Sequence, residues 1–122
     1  MAAISRDEKR TMILNVRNRG TIHGLPSDAV VEVPALVDAN GVHPLTLETQ
    51  PDLHQLGLMQ QVKAVERHAI TAAMTGSEKE ALKAFALHPL VDSVTVAHDL
   101  LARYIEVNPD IARVLAKRSR AA

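Results

Sequence analysis

The chain has 122 residues, with 14 Lys+Arg balanced by 14 Asp+Glu and a formal net charge of zero. This balance gives no reason to expect nucleic acid or an anionic membrane as a partner, and an aromatic content of 2% disfavours base-stacking surfaces. The sequence has no Cys, which excludes disulfides, a thiolate nucleophile and cysteine metal ligands within the chain.

No apolar run approaches the roughly 18 residues of a membrane span. The first residues lack the apolar segment of a signal peptide. We therefore expect a cytoplasmic chain with no membrane and no nucleic-acid partner. The length fits one domain over residues 1–122. The apolar residues are almost all Ala, Val, Leu and Ile, which also fits one piece of a larger protein.

The first third of the chain predicts a small sheet. Residues 2–10 fit a short helix, or the tail of one, and the apolar run 12–16 predicts a strand in the interior of the sheet. Residues 30–38 and 42–47 predict a hairpin, because Asn40-Gly41 between them suits a tight turn with positive φ.

Two prolines and one carboxylate constrain this hairpin. Pro34 and Pro44 cannot donate a ladder hydrogen bond, so we expect each at a sheet edge or a bulge. Glu32 falls on the opposite strand face from Val31 and Val33, where it is exposed or paired.

The rest of the chain predicts helices. A long helix follows Gln50-Pro51-Asp52 and ends at Thr75-Gly76, and its apolar stripe favours core over a partner groove. Ser77 to Glu80 resembles a capping box that opens a second helix. A third helix begins near Asp92-Ser93, and a last one runs from Asn108-Pro109-Asp110 to Lys117-Arg118-Ser119-Arg120. The expected inward residues of the second and third helices are Leu82, Phe85, Ala86, Val96, Leu100, Leu101, Tyr104 and Ile105.

Strands followed by helices indicate the α+β class. We expect a small antiparallel or mixed sheet, of three strands or so, packed under three to four helices.

No complete catalytic apparatus emerges from the residue pattern. The six histidines show no pair at the spacing of three or four residues that places two ligands on one helix face, so we expect no metal site within this chain. Ser27, Asp28 and His23 sit on a turn without a nucleophile elbow. The spacing of Asp28, Glu32 and Asp38 does not place two carboxylates face to face.

The stretch from Asn15 to Pro34 is the most distinctive part of the sequence. Asn18-Arg19-Gly20 and Gly24-Leu25-Pro26 are turn signals, since Gly accepts positive φ and Pro presets φ. The loop between the two strands is polar and should run on the surface or line a cleft. A strand follows Gly20 and Gly24 where a phosphate-binding loop would open a helix.

This stretch resembles the C-terminal part of glycoside hydrolase family four, and its 6-phospho-β-glucosidase branch above all. The run 18–34, NRGTIHGLPSDAVVEVP, is similar to the family pattern Asn-x-Gly-x-Ile-x-Asn-Leu-Pro-x-Asp-x-Val-Val-Glu-Val-Pro. Further matches in register are NGVHPL at 40–45, GLMQQVK at 57–63, Glu66-Arg67 and HPLV at 88–91. The resemblance covers about residues 12 to 107. One departure is Gly24, where the family usually has Asn.

The resemblance implies a fold like the lactate dehydrogenase-like C-terminal domain and a parent enzyme that hydrolyses phosphorylated disaccharides. The implied route oxidises the sugar with NAD, removes the acidified proton, eliminates the leaving group, adds water and re-reduces. A divalent metal, commonly Mn²⁺, assists in the family. This redox family is an exception to hydrolysis by two carboxylates.

The family's dinucleotide loop, its metal-binding Cys and His and its Tyr base precede the matched region and have no counterpart here. We therefore expect an inactive C-terminal substrate and oligomerisation domain, with no catalytic, NAD-binding or metal-binding residues of its own. Its partners would be an absent N-terminal Rossmann domain, the phosphorylated disaccharide and further copies of itself.

Four residues of the loop are the candidates for facing substrate: Asn18, Arg19, Gly20 and His23. The Arg19 guanidinium suits a phosphate group, although a solvated loop arginine explains the same residue equally well. The alternative reading of the whole chain is a free-standing structural or interaction module that has the same fold and no catalysis.

Overall fold

The computed structural model describes residues 2–116. Its contacts divide the chain into two compact units, Met1–Leu56 and Gly57–Ala122. The elements in chain order are α1 (Ala2–Ser5), β1 (Arg10–Arg17), β2 (Val30–Asp38), β3 (Gly41–Pro44), α2 (Leu53–Thr75), α3 (Glu78–Ala86), α4 (Val94–Val107) and α5 (Pro109–Ala116). One domain over residues 1–122 stays a prediction.

The first unit contains a three-stranded antiparallel sheet in the order β1-β2-β3. The hairpin between β2 and β3 is confirmed, although β3 ends at Pro44 and not at Leu47, and Gly41 in the turn has a φ of 118°. The prediction that β1 is interior was wrong, because β1 has one strand neighbour in the described structure and β2 takes the centre. An apolar run does not by itself distinguish a central strand from an edge strand.

The central strand β2 buries one face only. Val31, Val33, Ala35 and Val37 alternate with more exposed residues, and Ala35 is fully buried. Glu32 lies on the exposed face, as the alternation predicted. This pattern is that of a sheet with one core face and one wet face.

Pro34 lies on the central strand, where it pairs with Ile13 on one side and faces the point at which the ladder to β3 ends on the other. The backbone oxygen of Pro34 accepts a hydrogen bond from Leu45 N at 2.9 Å. The nitrogen and oxygen of one strand residue point to the same neighbour. Its missing N–H therefore faces the end of β3. Pro44 lies on the edge strand β3, as predicted.

The second unit begins with most of α2, which Gly76 ends in the left-handed conformation at a φ of 69°. A Cβ atom on Gly76 would lie 2.6 Å from the backbone oxygen of Val114, a residue of α5. Gly76 is therefore required twice, for the backbone angle and for the close approach of α5.

The start of α3 is capped by Ser77, whose hydroxyl accepts from Glu80 N at 3.3 Å. The Glu80 carboxylate contacts Lys83 Nζ and His68 Nδ1, each at 2.6 Å. The hydrogen bond from Lys83 and then that from His68 lower the pKa of Glu80 below its usual value. Glu80 thus links α2 to α3, a role that the capping-box pattern did not indicate.

The apolar stripes of the helices are less buried than predicted. Ala97 and Leu101 form the buried line of α4, while Val96, Leu100 and Tyr104 are exposed. Along α2, large apolar side chains are also open to solvent, with Leu53 89% and Met74 82% exposed. Much of the predicted core surface is therefore available for contact.

An edge-to-face aromatic pair joins α3 to α4, with the ring centroids of Phe85 and Tyr104 5.8 Å apart. The Gln61 side chain donates to Leu87 O at 2.9 Å and holds the end of α3 beside α2. The basic run 117–120, which was expected to end the last helix, lies outside the described residues.

The α+β class is confirmed: the described residues form one antiparallel three-stranded sheet and five helices. Within residues 2–116, none of the helices combines the length and the apolar character needed to span a bilayer.

Replacing Gly76 by Ala should lower the free energy of unfolding by at least about 2 kcal/mol, because Ala resists positive φ and its Cβ would collide with backbone. The matched control is Gly57→Ala, since a Cβ atom on Gly57, within α2, would meet nothing inside 4 Å. That variant should gain about 0.5–1 kcal/mol. Urea unfolding followed by circular dichroism gives both values, and equal effects would contradict the close approach of α5 to Gly76.

The lowered pKa of Glu80 predicts an acid-dependent loss of stability. A carboxyl group whose folded pKa is depressed stabilises the fold above its unfolded pKa and loses that contribution as pH falls through the folded pKa. Glu80→Gln should therefore lower the free energy of unfolding at pH 7. The variant should also lose less of that free energy than the unsubstituted chain when the pH falls from 7 to 3. Urea midpoints at both pH values measure this, with the exposed Glu78→Gln as the control on the same helical turn.

Candidate functional site

The loop between β1 and β2 is closed by its own backbone. Asn18 N donates to Ala29 O at 2.7 Å, and Arg19 N donates to Ser27 O at 2.9 Å. Within the loop, Thr21 N donates to Asn18 O at 2.8 Å. Residues 18–29, called the signature loop below, thus form a compact loop whose ends meet, a form that frequently carries function.

Asn18 holds the inside of the signature loop. Its side chain is fully buried, and its Nδ2 lies within 3.0–3.2 Å of the backbone oxygens of Ile22, Leu25 and Pro26. Its Oδ1 accepts from Ile22 N at 2.7 Å. The Asn18 side chain therefore faces the loop interior rather than a substrate, and we assign it a positioning role.

The signature loop also has a small apolar interior. Ile22, Leu25 and Ala29 are buried at 4%, 8% and 4% exposure. The side chains of Arg19 and His23 are exposed on the outside. Of the four candidate residues, the structure leaves Arg19, Gly20 and His23 accessible, and their contact with substrate stays a prediction.

Arg19 and Gly20 both have positive φ, at 45° and 91°. A non-glycine residue in this region costs energy and calls for a reason. Here the reason is local, because the turn brings Arg19 N onto Ser27 O while directing the arginine side chain outward. The guanidinium is thereby exposed at the base of an ordered loop, where the two ends of the loop meet.

Gln50 clamps the signature loop from a segment distant in sequence. Its Oε1 accepts from His23 N at 2.9 Å, and its Nε2 donates to Thr21 O at 3.2 Å. Sequence reasoning treated Gln50 only as part of a helix start and missed this contact. A glutamine that satisfies backbone groups 27 and 29 residues away leaves no signal in local periodicity.

Gly24 occupies the position at which the family pattern has Asn. Its φ is 82°, and a Cβ atom there would lie 2.8 Å from Leu56 Cδ2. A side chain at this position would need Leu56 to move. Leu56 therefore fills space beside the loop that the family asparagine would require.

Asp38, one of the three carboxylates considered above, pairs with a histidine outside the signature loop. His43 Nε2 lies 3.1 Å from Asp38 Oδ1 beside the β2–β3 turn. The hydrogen bond from Asn40 N, followed by that from His43, lowers the pKa of Asp38. These contacts stabilise the turn, and they do not bring Asp38 to His23 or the signature loop.

The residues present do not fit the metal or the nucleotide of the family. Within residues 2–116 no three His, Asp or Glu side chains converge, and the sequence has no Cys. The loop that contains Gly20 and Gly24 joins two strands, so it lacks the helix N-terminus on which a pyrophosphate binds. We therefore derive no reaction step through either group on this chain.

The helical unit carries an apolar groove of about 540 Å³. Its walls come from α2, α3, α4 and α5 and include Ala72, Phe85, Leu101, Tyr104, Ile111 and Val114. Polar atoms contribute little to its surface, although Asp110 lies on its rim. Such a surface suits an apolar partner better than a sugar phosphate.

Residues 1–91 match the model of the family 4 glycosyl hydrolase C-terminal domain. The chain is 39% identical over 108 residues to the 6-phospho-beta-glucosidase BglT of Thermotoga maritima, covering 88% of this chain and 26% of that enzyme. The chain thus spans about a quarter of the length of this curated relative.

Solved structures agree with the sequence comparison. A 6-phospho-alpha-glucosidase from gut microorganisms, in complex with NAD and glucose-6-phosphate, has a TM-score of 0.83 and 33% identity over 89% of this chain and 24% of its own. The 6-phospho-beta glucosidase of Thermotoga maritima, with manganese, NAD+ and glucose-6-phosphate, has a TM-score of 0.77 and 38% identity. That match covers 90% of this chain and 28% of the other.

The fold and the sequence thus match the C-terminal regions of family 4 glycosyl hydrolases. The chain belongs to the family 4 glycosyl hydrolases and contains their C-terminal domain.

Asn18→Ala should lower the free energy of unfolding by about 2–4 kcal/mol, because it leaves a buried N–H and buried carbonyls without partners. Asn15→Ala is the control, since Asn15 is an exposed residue of the adjoining strand and should change stability by less than about 0.5 kcal/mol. Thermal and urea unfolding of both variants measure the difference. Similar losses would show that the Asn18 amide does not hold the loop.

Proposed function

We propose that this chain is the substrate-side C-terminal domain of a cytoplasmic 6-phosphoglucosidase, in the branch that hydrolyses 6-phospho-β-glucosides. The carrying observation is the family match over residues 1–91 together with an ordered signature loop that presents Arg19. Identity is 39% to the Thermotoga 6-phospho-beta-glucosidase and 38% to the 6-phospho-alpha-glucosidase of Leptotrichia buccalis, so the choice of the β-linked substrate rests on the resemblance of the sequence pattern. Relatives with α-linked specificity remain similar enough that both anomers belong in the test.

The parent enzyme would hydrolyse phosphorylated disaccharides by NAD-dependent oxidation, elimination, addition of water and re-reduction, with Mn²⁺ as the metal. The groups for that chemistry would lie on an N-terminal Rossmann domain, because the described residues offer no fitting ligand set or nucleotide loop. By itself this chain would neither bind NAD nor turn over substrate. It would supply one wall of the substrate site.

Within that wall, Arg19 would meet the sugar phosphate. The loop fixes its backbone through the hydrogen bond from Arg19 N to Ser27 O, while the side chain stays exposed. A guanidinium offers donors in a fork that matches phosphate oxygens. His23 would be a second substrate contact, since its side chain is exposed and its backbone N–H donates to Gln50 Oε1 at 2.9 Å.

The helical unit would serve association. Its apolar groove of about 540 Å³ and the exposed apolar residues of α2 and α4 support contact with the N-terminal domain or with another copy. Burial of such surface in a partner contact is favourable because it removes apolar area from water. We include homo-oligomerisation in the proposal on this basis.

A chimera tests the function. This chain would replace the matching C-terminal segment of the Thermotoga relative, and the product would be assayed with NAD, Mn²⁺ and chromogenic 6-phospho-α- and 6-phospho-β-glucosides. Turnover of the β-linked compound by the chimera, and none by the 122-residue chain alone, is the expected result. Turnover by the chain alone would overturn the assignment of catalysis to another domain.

Arg19→Ala in the same chimera should lower kcat/KM for the phosphorylated substrate roughly 10- to 100-fold, the loss expected for one charge-assisted contact. Arg17→Ala is the control, because Arg17 is also exposed but lies on β1 before the loop. Equal kinetics for the Arg19→Ala variant and the unsubstituted chimera would remove Arg19 from the phosphate site.

A further inference from the structure

The outer edge of β1 carries a second, unassigned feature of the fold. In the described structure β1 pairs with β2 only, through a continuous register from Arg10–Val37 to Arg17–Val30. Its side chains are exposed or half-buried along the whole strand, and Ile13 is 68% exposed. An open strand edge of this length is a template for pairing with another strand.

The hydrogen bonds show which backbone groups point outward. Asn18 N donates across to Ala29 O, so even-numbered residues of β1 face β2. The hydrogen bond from Leu45 N to Pro34 O gives the same result independently. It shows that the backbone groups of even-numbered residues of β2 face β3, so those of the odd-numbered residues face β1, where they pair with even-numbered residues. In an antiparallel ladder this alternation continues along the strand. The outward residues of β1 are therefore Thr11, Ile13, Asn15 and Arg17.

The side chains at this edge continue the apolar face of the sheet. Met12, Leu14 and Val16 pair with Ala35, Val33 and Val31, so they lie on the same face as these buried residues. At the edge this face is open, since Met12 is 41% exposed and Leu14 and Val16 are only half-buried. A strand added here would cover the open apolar row while it satisfies the free backbone groups.

We propose that β1 pairs antiparallel with β1 of a second copy, with the two-fold axis at Leu14, to form a continuous six-stranded sheet. In this register Thr11 pairs with Arg17 of the other copy, and Ile13 pairs with its Asn15. Every outward donor and acceptor of the strand then finds a partner. On the apolar face Leu14 meets its own symmetry mate and Met12 meets Val16. This interface deepens the homo-oligomer part of the proposed function, but it rests on the strand edge and not on catalysis.

Two neighbouring registers are possible. With the axis at Asn15, Thr11 would lie opposite Arg19 of the other copy, whose φ of 45° does not continue a strand ladder. The register with the axis at Ile13 is disfavoured both by its charges and by its backbone angles. It would place Arg17 opposite Lys9 of the other copy, and like charges facing across strands are destabilising. Lys9 also has a φ of 50°, which does not continue a strand ladder. In the Leu14 register, Arg10 and Arg17 face uncharged residues, Asn18 and Thr11.

Single-cysteine trapping tests the register, since the native chain has no Cys. Leu14 is a non-hydrogen-bonded position at the proposed interface, where facing Cβ atoms approach to about 4.5–5.5 Å. Oxidised Leu14→Cys should give a covalent dimer on a non-reducing gel. Ile13→Cys, which faces Asn15 of the other copy, should give at least about tenfold less. Equal or reversed yields would overturn the register.

Light scattering on the full 122-residue chain tests the edge independently of any cysteine. The unsubstituted chain should be dimeric, and Ile13→Lys should raise the dimer dissociation constant at least about tenfold, because an edge lysine opposes strand pairing. Leu90→Lys is the matched control: Leu90 is 84% exposed between α3 and α4, outside both the strand edge and the exposed apolar residues of α2 and α4, and its replacement should leave the dimer unchanged. A monomeric wild type at millimolar concentration would overturn the proposal and leave this edge to a strand of another polypeptide. The oligomeric state measured here does not depend on whether the chimera is active, so the dimer and the proposed function can fail separately.

Discussion

The buried amide of Asn18 is the interaction on which the signature loop depends. One side chain satisfies a backbone N–H and approaches three carbonyl oxygens of a segment that has no secondary structure of its own. A buried irregular segment is stable only when its polar groups find such partners. The Asn18 side chain is hydrogen-bonded inside the loop, whereas the side chain of the neighbouring Arg19 points outward from a backbone that is held in place. The order of the loop and the exposure of its cation thus have one cause.

Local signals were sufficient for much of the fold. Asn40-Gly41 correctly marked the hairpin, Gly76 marked the end of α2, and Ser77 marked the start of α3, because each acts through its own backbone angle or a contact three residues away. The family resemblance rested on the same kind of local pattern, and the comparison with known proteins confirmed it. These features need no knowledge of what packs where.

The features that sequence reasoning missed are those decided by distant partners. The apolar run of β1 is compatible with a central strand and with an edge strand. Only the strand order of the folded sheet shows that β1 is an edge strand. Gln50 gives no local hint that it will hold Thr21 and His23. The stripe on α2 predicted burial, yet exposure depends on what lies opposite, and much of that stripe is open in the described structure.

Pro44 makes the two edges of the sheet different. It pairs with Ala35, an odd-numbered residue that turns toward β1, so the nitrogen of Pro44 faces away from the sheet along the outer side of β3. Since proline has no N–H, that side lacks a donor at the place where a further strand would need one. Strand addition is therefore blocked on the β3 side and open on the β1 side. We therefore expect growth through this sheet to stop after one β1–β1 pairing, which disfavours an extended fibre.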